Sequence, residues 1–320
     1  MLCSRAVTSV SGRGERGDEL GRVLVTGANG HLGRRLIHRH PDVRAVVRSE
    51  RAAATLRALP EAERLEIEIL DYRDGARLTR AAVGCRYAVH LTGIIKETRS
   101  NRYTDAHEAT CEALAKAAAA AGIERVVYLS ILGSDPSSTN ACLASKGRAE
   151  RILLEAETPA VILRVPLVLG PGDATTRIVA AEARARVLPL IAGGRTHTQP
   201  IYADDVVEAM IAAMTRSGLA DVALDLAGPE ALRQRDFVAR AARLYGRRPI
   251  VLPIPLGLAS GLAWLAERML ANPPLTRAML GVLGQDDCVD ADAACKELGI
   301  ELTPLDEALR RSLGPEASGA

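Results

Sequence analysis

VLVTGANGHLGRRLI, residues 23–37, is the stretch on which the reading of this chain turns. A short β-branched run, Arg22–Thr26 (RVLVT), reads as a buried strand, and a helix is expected over Leu32–Arg39. Between them stand Gly27, Gly30 and Gly33, each with a different task. Gly27 permits a tight turn, Gly30 lets the backbone approach a pyrophosphate, and Gly33 allows the helix to pack closely on the strand. The anion then rests on the helix N-terminus, where N–H groups lack partners, with Asn29, His31 and Leu32 completing the loop. Glycines also fill turns in proteins that bind nothing. Strand, spacing and helix together make this a dinucleotide-binding signal.

Outward from this loop the same unit repeats. Strands are expected at Val43–Val47, Leu65–Leu70, Tyr87–Leu91, Arg125–Leu129 and Ala160–Val165. Helical stretches fall at Arg51–Ala58, Gly75–Val83, Asp105–Ala121 and Leu143–Ala156. Strands alternating with helices through short connections imply an α/β fold, a doubly wound Rossmann-type parallel sheet. Its ligands sit beyond the carboxyl ends of the strands. After Gly170 the alternation loosens: Thr175–Arg186 and Ala203–Met214 read as helices and Val222–Leu226 as a further strand. From Gly228 onward only helices and Pro-rich turns are expected, a smaller, mostly helical C-terminal lobe. The organisation is therefore a flexible tail over 1–20, a nucleotide-binding domain over 21–228 and a helical substrate lobe over 229–320. Residues 171–197 contribute to that lobe.

Composition excludes several classes. The 41 basic and 39 acidic residues of the 320 nearly cancel, against the basic excess of a nucleic-acid binder. Only one Trp, one Phe and six Tyr occur, too few for stacking bases or sugars on several rings. The six Cys (3, 85, 111, 142, 288, 295) form no CxxC pair, and no apolar leader precedes them, so free thiols in the cytoplasm are expected, and no metal site. The uncharged run 249–266 nears the length of a membrane span, but Pro253 and Pro255 break its first third. It lacks the Lys- and Arg-dense polar face of an in-plane membrane helix, so a packed helix is expected there.

The motifs TGANGHLG, LTG (Leu91–Gly93), LASKGRAE around Lys146, LRVPLVLGPGD (163–173) and QPIYADDVVEAM (199–210) occur in this order. Together they resemble the short-chain dehydrogenase/reductase superfamily in its extended and atypical branches, over roughly residues 21–313. GIIKETRSNRYTDAHEATCEALAKAAAAAGIERVVYLSILGSD and PPLTRAMLGVLGQDDCVDADAACKELGI narrow the likeness. They resemble the group of the accessory subunit of respiratory complex I and its bacterial relatives. The resemblance implies a bound NADP(H) and a divergent active site. It places Asp71 at the adenine, Leu91, Thr92, Gly93 and Val165 beside the cofactor, Ser130 at the catalytic Ser position, and Lys146 at the YxxxK lysine. That lysine also holds the nicotinamide ribose.

Where an NAD enzyme carries Asp or Glu at the end of the second strand, this chain reads Val47-Arg48-Ser49. Arg48 suits a 2′-phosphate, with Arg34 or Arg35 helping, so NADP(H) is preferred over NAD(H). The catalytic pattern breaks four residues before Lys146, where Cys142 replaces the expected Tyr. A thiol beside an ammonium ionises more readily, yet Cys is too short to reach where a phenol oxygen would act. Cys142 is read either as a reactive group or as a small hydrophobe. Tyr128, inside a strand, and Tyr103, ahead of a helix, do not fit the lost spacing. His90 reads as a core histidine, and Thr92, Lys96 and His107 show no deciding pattern. Two functions stay open: an NADP(H)-dependent oxidoreductase or isomerase of a small, rather apolar carbonyl or hydroxyl metabolite, and an NADP(H)-binding protein without turnover. The expected partner is a small-molecule substrate; a homodimer is left open, and nucleic acid and membrane are not expected.

Overall fold

The computed structural model describes residues 20–98, 101–270 and 272–314. Strand β1 (Val23–Thr26) leads into helix α1 (His31–Arg39), and the unit recurs as β2 (Val43–Val47), α2 (Glu50–Arg57), β3 (Glu66–Ile69) and α3 (Gly75–Ala82). The second half adds β4 (Tyr87–His90), α4 (Ala109–Ala121), β5 (Arg125–Ile131), α5 (Ala141–Leu154) and β6 (Ala160–Val165). Short strands β7 (Val168–Leu169), β8 (Val187–Ile191), β9 (His197–Thr198) and β10 (Ile201–Tyr202) follow, with α6 (Ala174–Arg184) between β7 and β8. Helix α7 (Ala203–Thr215) then precedes β11 (Val222–Asp225). Seven strands form one sheet in the order β11-β6-β5-β4-β1-β2-β3, every pair parallel. Reversal of strand order at β1 and β4 opens the crevice where doubly wound folds bind ligands.

The expected strand at Val222–Leu226 is the sheet's edge. Both faces are covered, which is why β1, β2 and β4 are almost entirely buried. Leu36, Ile37, Leu56, Val206 and Met210 of α1, α2 and α7 pack on one face. Leu78, Leu114 and Leu153 of α3, α4 and α5 pack on the other.

Several expectations are corrected. Leu20, assigned to the tail, is buried against the first face of the sheet; residues 1–19 lie outside the described residues. The single helix expected over Asp105–Ala121 opens with a wider five-residue π-helical turn, Thr104–Glu108, before α4 begins. Such turns reorient side chains and recur at functional sites.

The C-terminal lobe is mostly helical but not free of strands. Beyond β12 (Leu232–Arg233) and α8 (Gln234–Arg243), β13 (Ile250–Ile254) pairs in parallel with β8. Pro189 and Pro253 hide this ribbon from a sequence reading, yet a two-stranded ribbon is all edge, where a missing N–H is tolerated. The lobe continues through α9 (Leu256–Met269), α10 (Arg277–Leu283), α11 (Ala291–Leu298) and α12 (Leu305–Leu313). Helix α9, expected to be packed, buries only Ala259 and Ala263 and turns its large apolar side chains to solvent. Among the described residues, no helix is long and apolar enough to cross a membrane.

Candidate functional site

The β1–α1 turn has the geometry its glycines foretell. Gly27 has φ +72°, and a Cβ there would come within 3.2 Å of the Leu91 carbonyl. A Cβ on Gly33 would lie 2.4 Å from the Ala28 oxygen, so only Gly lets α1 pack this closely. Gly30 occupies the N-cap of α1 without any side-chain capping bond, leaving the first-turn amides to an anion. Tyr72 braces the turn: the Gly27 N–H donates to its Oη (3.1 Å), and its O–H donates to the Val46 carbonyl (3.3 Å).

A cavity of about 220 Å³ opens here, lined by Gly27, Asn29, Arg48, Tyr72, Leu91, Thr92 and Gly93 among others. A glycine turn, an uncapped helix N-terminus and a guanidinium at the rim form a donor set that fits a dinucleotide phosphate and its ribose. His31 and Leu32 begin the helical wall; the His31 Nε2 accepts from Arg35 Nε (3.0 Å), and burial lowers its pKa. Arg48 lies 5.7 Å over the Tyr72 ring, a cation–π contact that holds it at the rim.

Three expected cofactor contacts sit elsewhere. Asp71 turns outward and binds Arg73 through its backbone N–H and guanidinium (2.6–3.0 Å), which hold its pKa down to about 2. Tyr72, one residue on, takes its place in the lining. Val165 is a buried core residue at the end of β6. Arg35 is committed to Asp204 on α7 and to His31, so it locks α1 to α7 and is not free for a 2′-phosphate.

Lys146 lies behind Gly93 of this cavity, only 6% exposed. Its Nζ donates to the Leu129 carbonyl (3.1 Å) and lies 4.4 Å over the Tyr128 ring. A Cβ at Gly93 would lie 3.0 Å from Nζ, so the glycine lets the chain pass against the ammonium. Among the described residues Lys146 forms no ion pair, and burial pushes its pKa down to about 8.

Cys142, one helical turn earlier, is buried; its thiol donates to the Ile94 carbonyl (3.7 Å), and burial pushes its pKa up. It is therefore a protonated thiol at neutral pH. The residue missed from the sequence is Tyr103. Its hydroxyl donates to the Ile95 carbonyl (2.7 Å), touches the Cys142 thiol, and its ring stacks on His107 at 5.6 Å. The π turn at 104–108 places it there, and no fixed spacing to Lys146 could have announced it.

Ser130 does not face either cavity. Its hydroxyl donates to the buried Glu150 carboxylate, which Arg164 grips through Nε and Nη2 (2.6–3.2 Å). This network ties β5, α5 and β6 together and leaves the hydroxyl no role at a substrate carbonyl. His90 is satisfied by Thr26 (2.6 Å) and Thr110 (3.2 Å) and held neutral, its pKa lowered to about 3 by burial. His107 accepts from the Ile94 N–H (3.1 Å) and is neutral for the same reason. Lys96 donates to the Pro273 carbonyl (2.9 Å) and ties the loop after β4 to the C-terminal lobe.

Beyond Tyr103 lies a larger cleft of about 870 Å³, between this loop, the start of α5, and α9 and α10. Asn140, Leu143, Arg268, Leu270 and Arg277 are among its walls. Gly93 of the nucleotide cavity lies against Lys146, and Cys142, one turn earlier on the same helix, touches Tyr103 of the larger cleft.

Residues 27–217 match the model of an NAD(P)H-binding family. The ceramide reductase of Caulobacter vibrioides is 29% identical, over 80% of this chain and 81% of its own length. A ketoreductase of Stigmatella aurantiaca named for a farnesylated dihydroquinoline oxide is 29% identical, over 93% and 98%. Subunit 9 of the alpha subcomplex of mitochondrial NADH dehydrogenase from Arabidopsis thaliana is 26% identical, over 92% and 76%. The crystal structure of gox2253 superposes with a TM-score of 0.72 at 22% identity, covering 93% of this chain and 99% of that one. The match runs from the turn through strands β2 to β6 and the Lys146 helix described above, and the chain belongs to the NAD(P)H-binding family, in the atypical branch of the short-chain dehydrogenase/reductases.

Proposed function

We propose that this chain reduces a carbonyl group on a small molecule with an apolar body, using NADP(H). One observation carries the reading: buried Lys146, which forms no ion pair among the described residues, lies against Gly93 of the nucleotide cavity, and Cys142 on the same helix touches Tyr103 on the wall of the larger cleft. Arg48 at the rim, in the place of an acidic ribose partner, favours the 2′-phosphorylated cofactor. The relatives named for ceramide and for a farnesylated quinoline support a greasy substrate.

The glycine turn and the α1 N-terminus would hold the pyrophosphate, Arg48 the 2′-phosphate, and Lys146 the nicotinamide ribose. When bound, the reduced nicotinamide supplies a hydride to the carbonyl carbon. Tyr103 then gives its Oη proton to the carbonyl oxygen, with Cys142 beside it and the Lys146 ammonium one helical turn further on as the positive charge of the site. NADPH oxidation should be measured with ketones of increasing chain length, on the native protein and on Tyr103→Phe. Turnover that improves with chain length and falls about 10²-fold in Tyr103→Phe supports the reading.

The absence of a Tyr at position 142 and the engagement of Ser130 favour a second reading, an NADP(H)-binding protein without turnover. Tight nucleotide binding with no oxidation by any carbonyl would establish it.

A further inference from the structure

Helix α9 has two apolar faces. Ala259 and Ala263 pack on the protein, while Leu258, Leu262, Leu265 and Met269, spaced i, i+4, i+7, i+11, form a second stripe in solvent. Met269 is 74% exposed. Ile250 and Leu252 of β13, which runs into α9 through Pro255, are exposed as well. Nine of the fifteen large apolar side chains exposed among the described residues lie within 250–270, so this is a patch and not scattered background.

The stretch of chain that carries it is charged one-sidedly. Between Asp236 and Asp286 the chain carries Arg240, Arg243, Arg247, Arg248, Arg268 and Arg277 against Glu267 alone. Arg240 is neutralised by Glu230 and Asp306, and Arg277 by Glu267. Arg243, Arg247, Arg248 and Arg268 form no ion pair among the described residues. In a two-fold contact between copies the same patch meets itself, which would set these arginines against each other. A bilayer bearing anionic headgroups answers both the stripe and the charge.

We propose that α9 and β13 dock this chain in the plane of an anionic lipid surface. A free interfacial helix needs its own basic polar face; here the protein body covers that side of α9, and the arginines come from the flanking segments and from Arg268. Leu270 and Arg268, at the end of the stripe, also line the larger cleft, which opens it toward the docked side. Delivery of a lipid-like substrate through that mouth rests on the reductase reading; the docking does not.

Flotation of the full chain with vesicles tests it, without cofactor or substrate, so that failure here is separate from failure of the reductase reading. The chain should bind vesicles of phosphatidylglycerol and phosphatidylcholine, bind phosphatidylcholine alone more weakly, and lose affinity as salt is raised. A Leu262→Ser, Leu265→Ser double variant should bind about tenfold or more weakly, with unfolding and NADPH binding unchanged, because both side chains face solvent. Absence of binding to either vesicle overturns the proposal, as does unchanged binding by the double variant. A native dimer in sedimentation velocity that the same two substitutions dissociate would assign the face to a second copy instead.

Discussion

Replacing Lys146 by Met should make this protein more stable and less active. Burial moves the Lys146 pKa from 10.5 to about 8. At pH 7 the lysine is charged in both the folded and unfolded chain, and each unit of that difference is worth about 1.4 kcal/mol, so holding the buried charge costs about 3 kcal/mol. The hydrogen bond to Leu129 and the Tyr128 ring offset about 1–2 kcal/mol of it. Met fills nearly the same volume without a charge, so a net gain of about 1–2 kcal/mol is expected at pH 7. The sign also fixes a pH dependence. Between about 8 and 10.5 the unfolded chain keeps the proton that the folded chain has lost, so native stability rises with pH there and the advantage of Met shrinks. Urea unfolding of both proteins, followed by far-UV circular dichroism at pH 7 and pH 10 without cofactor, measures the difference directly. A Met variant less stable at pH 7, or a difference that does not change between the two pH values, refutes the reasoning.

Gly30→Asp should abolish NADPH binding in a fluorescence titration while the far-UV spectrum stays native, since the carboxylate would occupy and repel the pyrophosphate position. Arg48→Asp should shift the ratio of NADPH to NADH dissociation constants by at least about tenfold, the loss of charge-assisted bonds worth about 1.5–3 kcal/mol each. Cys142→Ala should change turnover less than about fivefold, and iodoacetamide should alkylate the native thiol slowly at neutral pH, because burial keeps it protonated. Carbonyl reduction should decline as pH rises through about 8, where Lys146 loses the charge that assists proton transfer, and a rate flat to pH 10 would remove the lysine from that step.

The nucleotide half of the fold was legible because its signals are local. A buried parallel strand shows as a continuous β-branched run, and Gly30 and Gly33 of the turn answer to contacts within a few residues of chain. The reading failed where neighbours decide. At the end of β3, Leu70 and Tyr72 point inward and Asp71 points out, so a one-residue choice between adjacent polar groups settled which of them lines the cavity. The strand β13 was missed because proline is forbidden only where a partner needs its N–H. Helix α9 was read as packed because its apolar count was right. The count does not say which of two apolar faces the protein uses, and small residues, not large ones, turned out to make the contact.

The candidate proton-transfer site was the least legible part, for a reason that also bears on the proposal. Position 142, read alone, has lost a phenol. In the folded chain a phenol stands beside that thiol after all, carried by Tyr103 on a π turn roughly forty residues upstream. Lys146, one turn beyond the thiol, is kept buried with no ion pair among the described residues, at a cost in stability that an ordinary apolar side chain would avoid. Ser130, by contrast, has its hydroxyl taken up by a fully paired Glu150–Arg164 bridge, the arrangement expected of a residue retained for structure. A buried cation held without an ion pair and, one turn away, a phenol set against a thiol are features that the proposed proton transfer would use and that a merely stabilising cofactor pocket would not need.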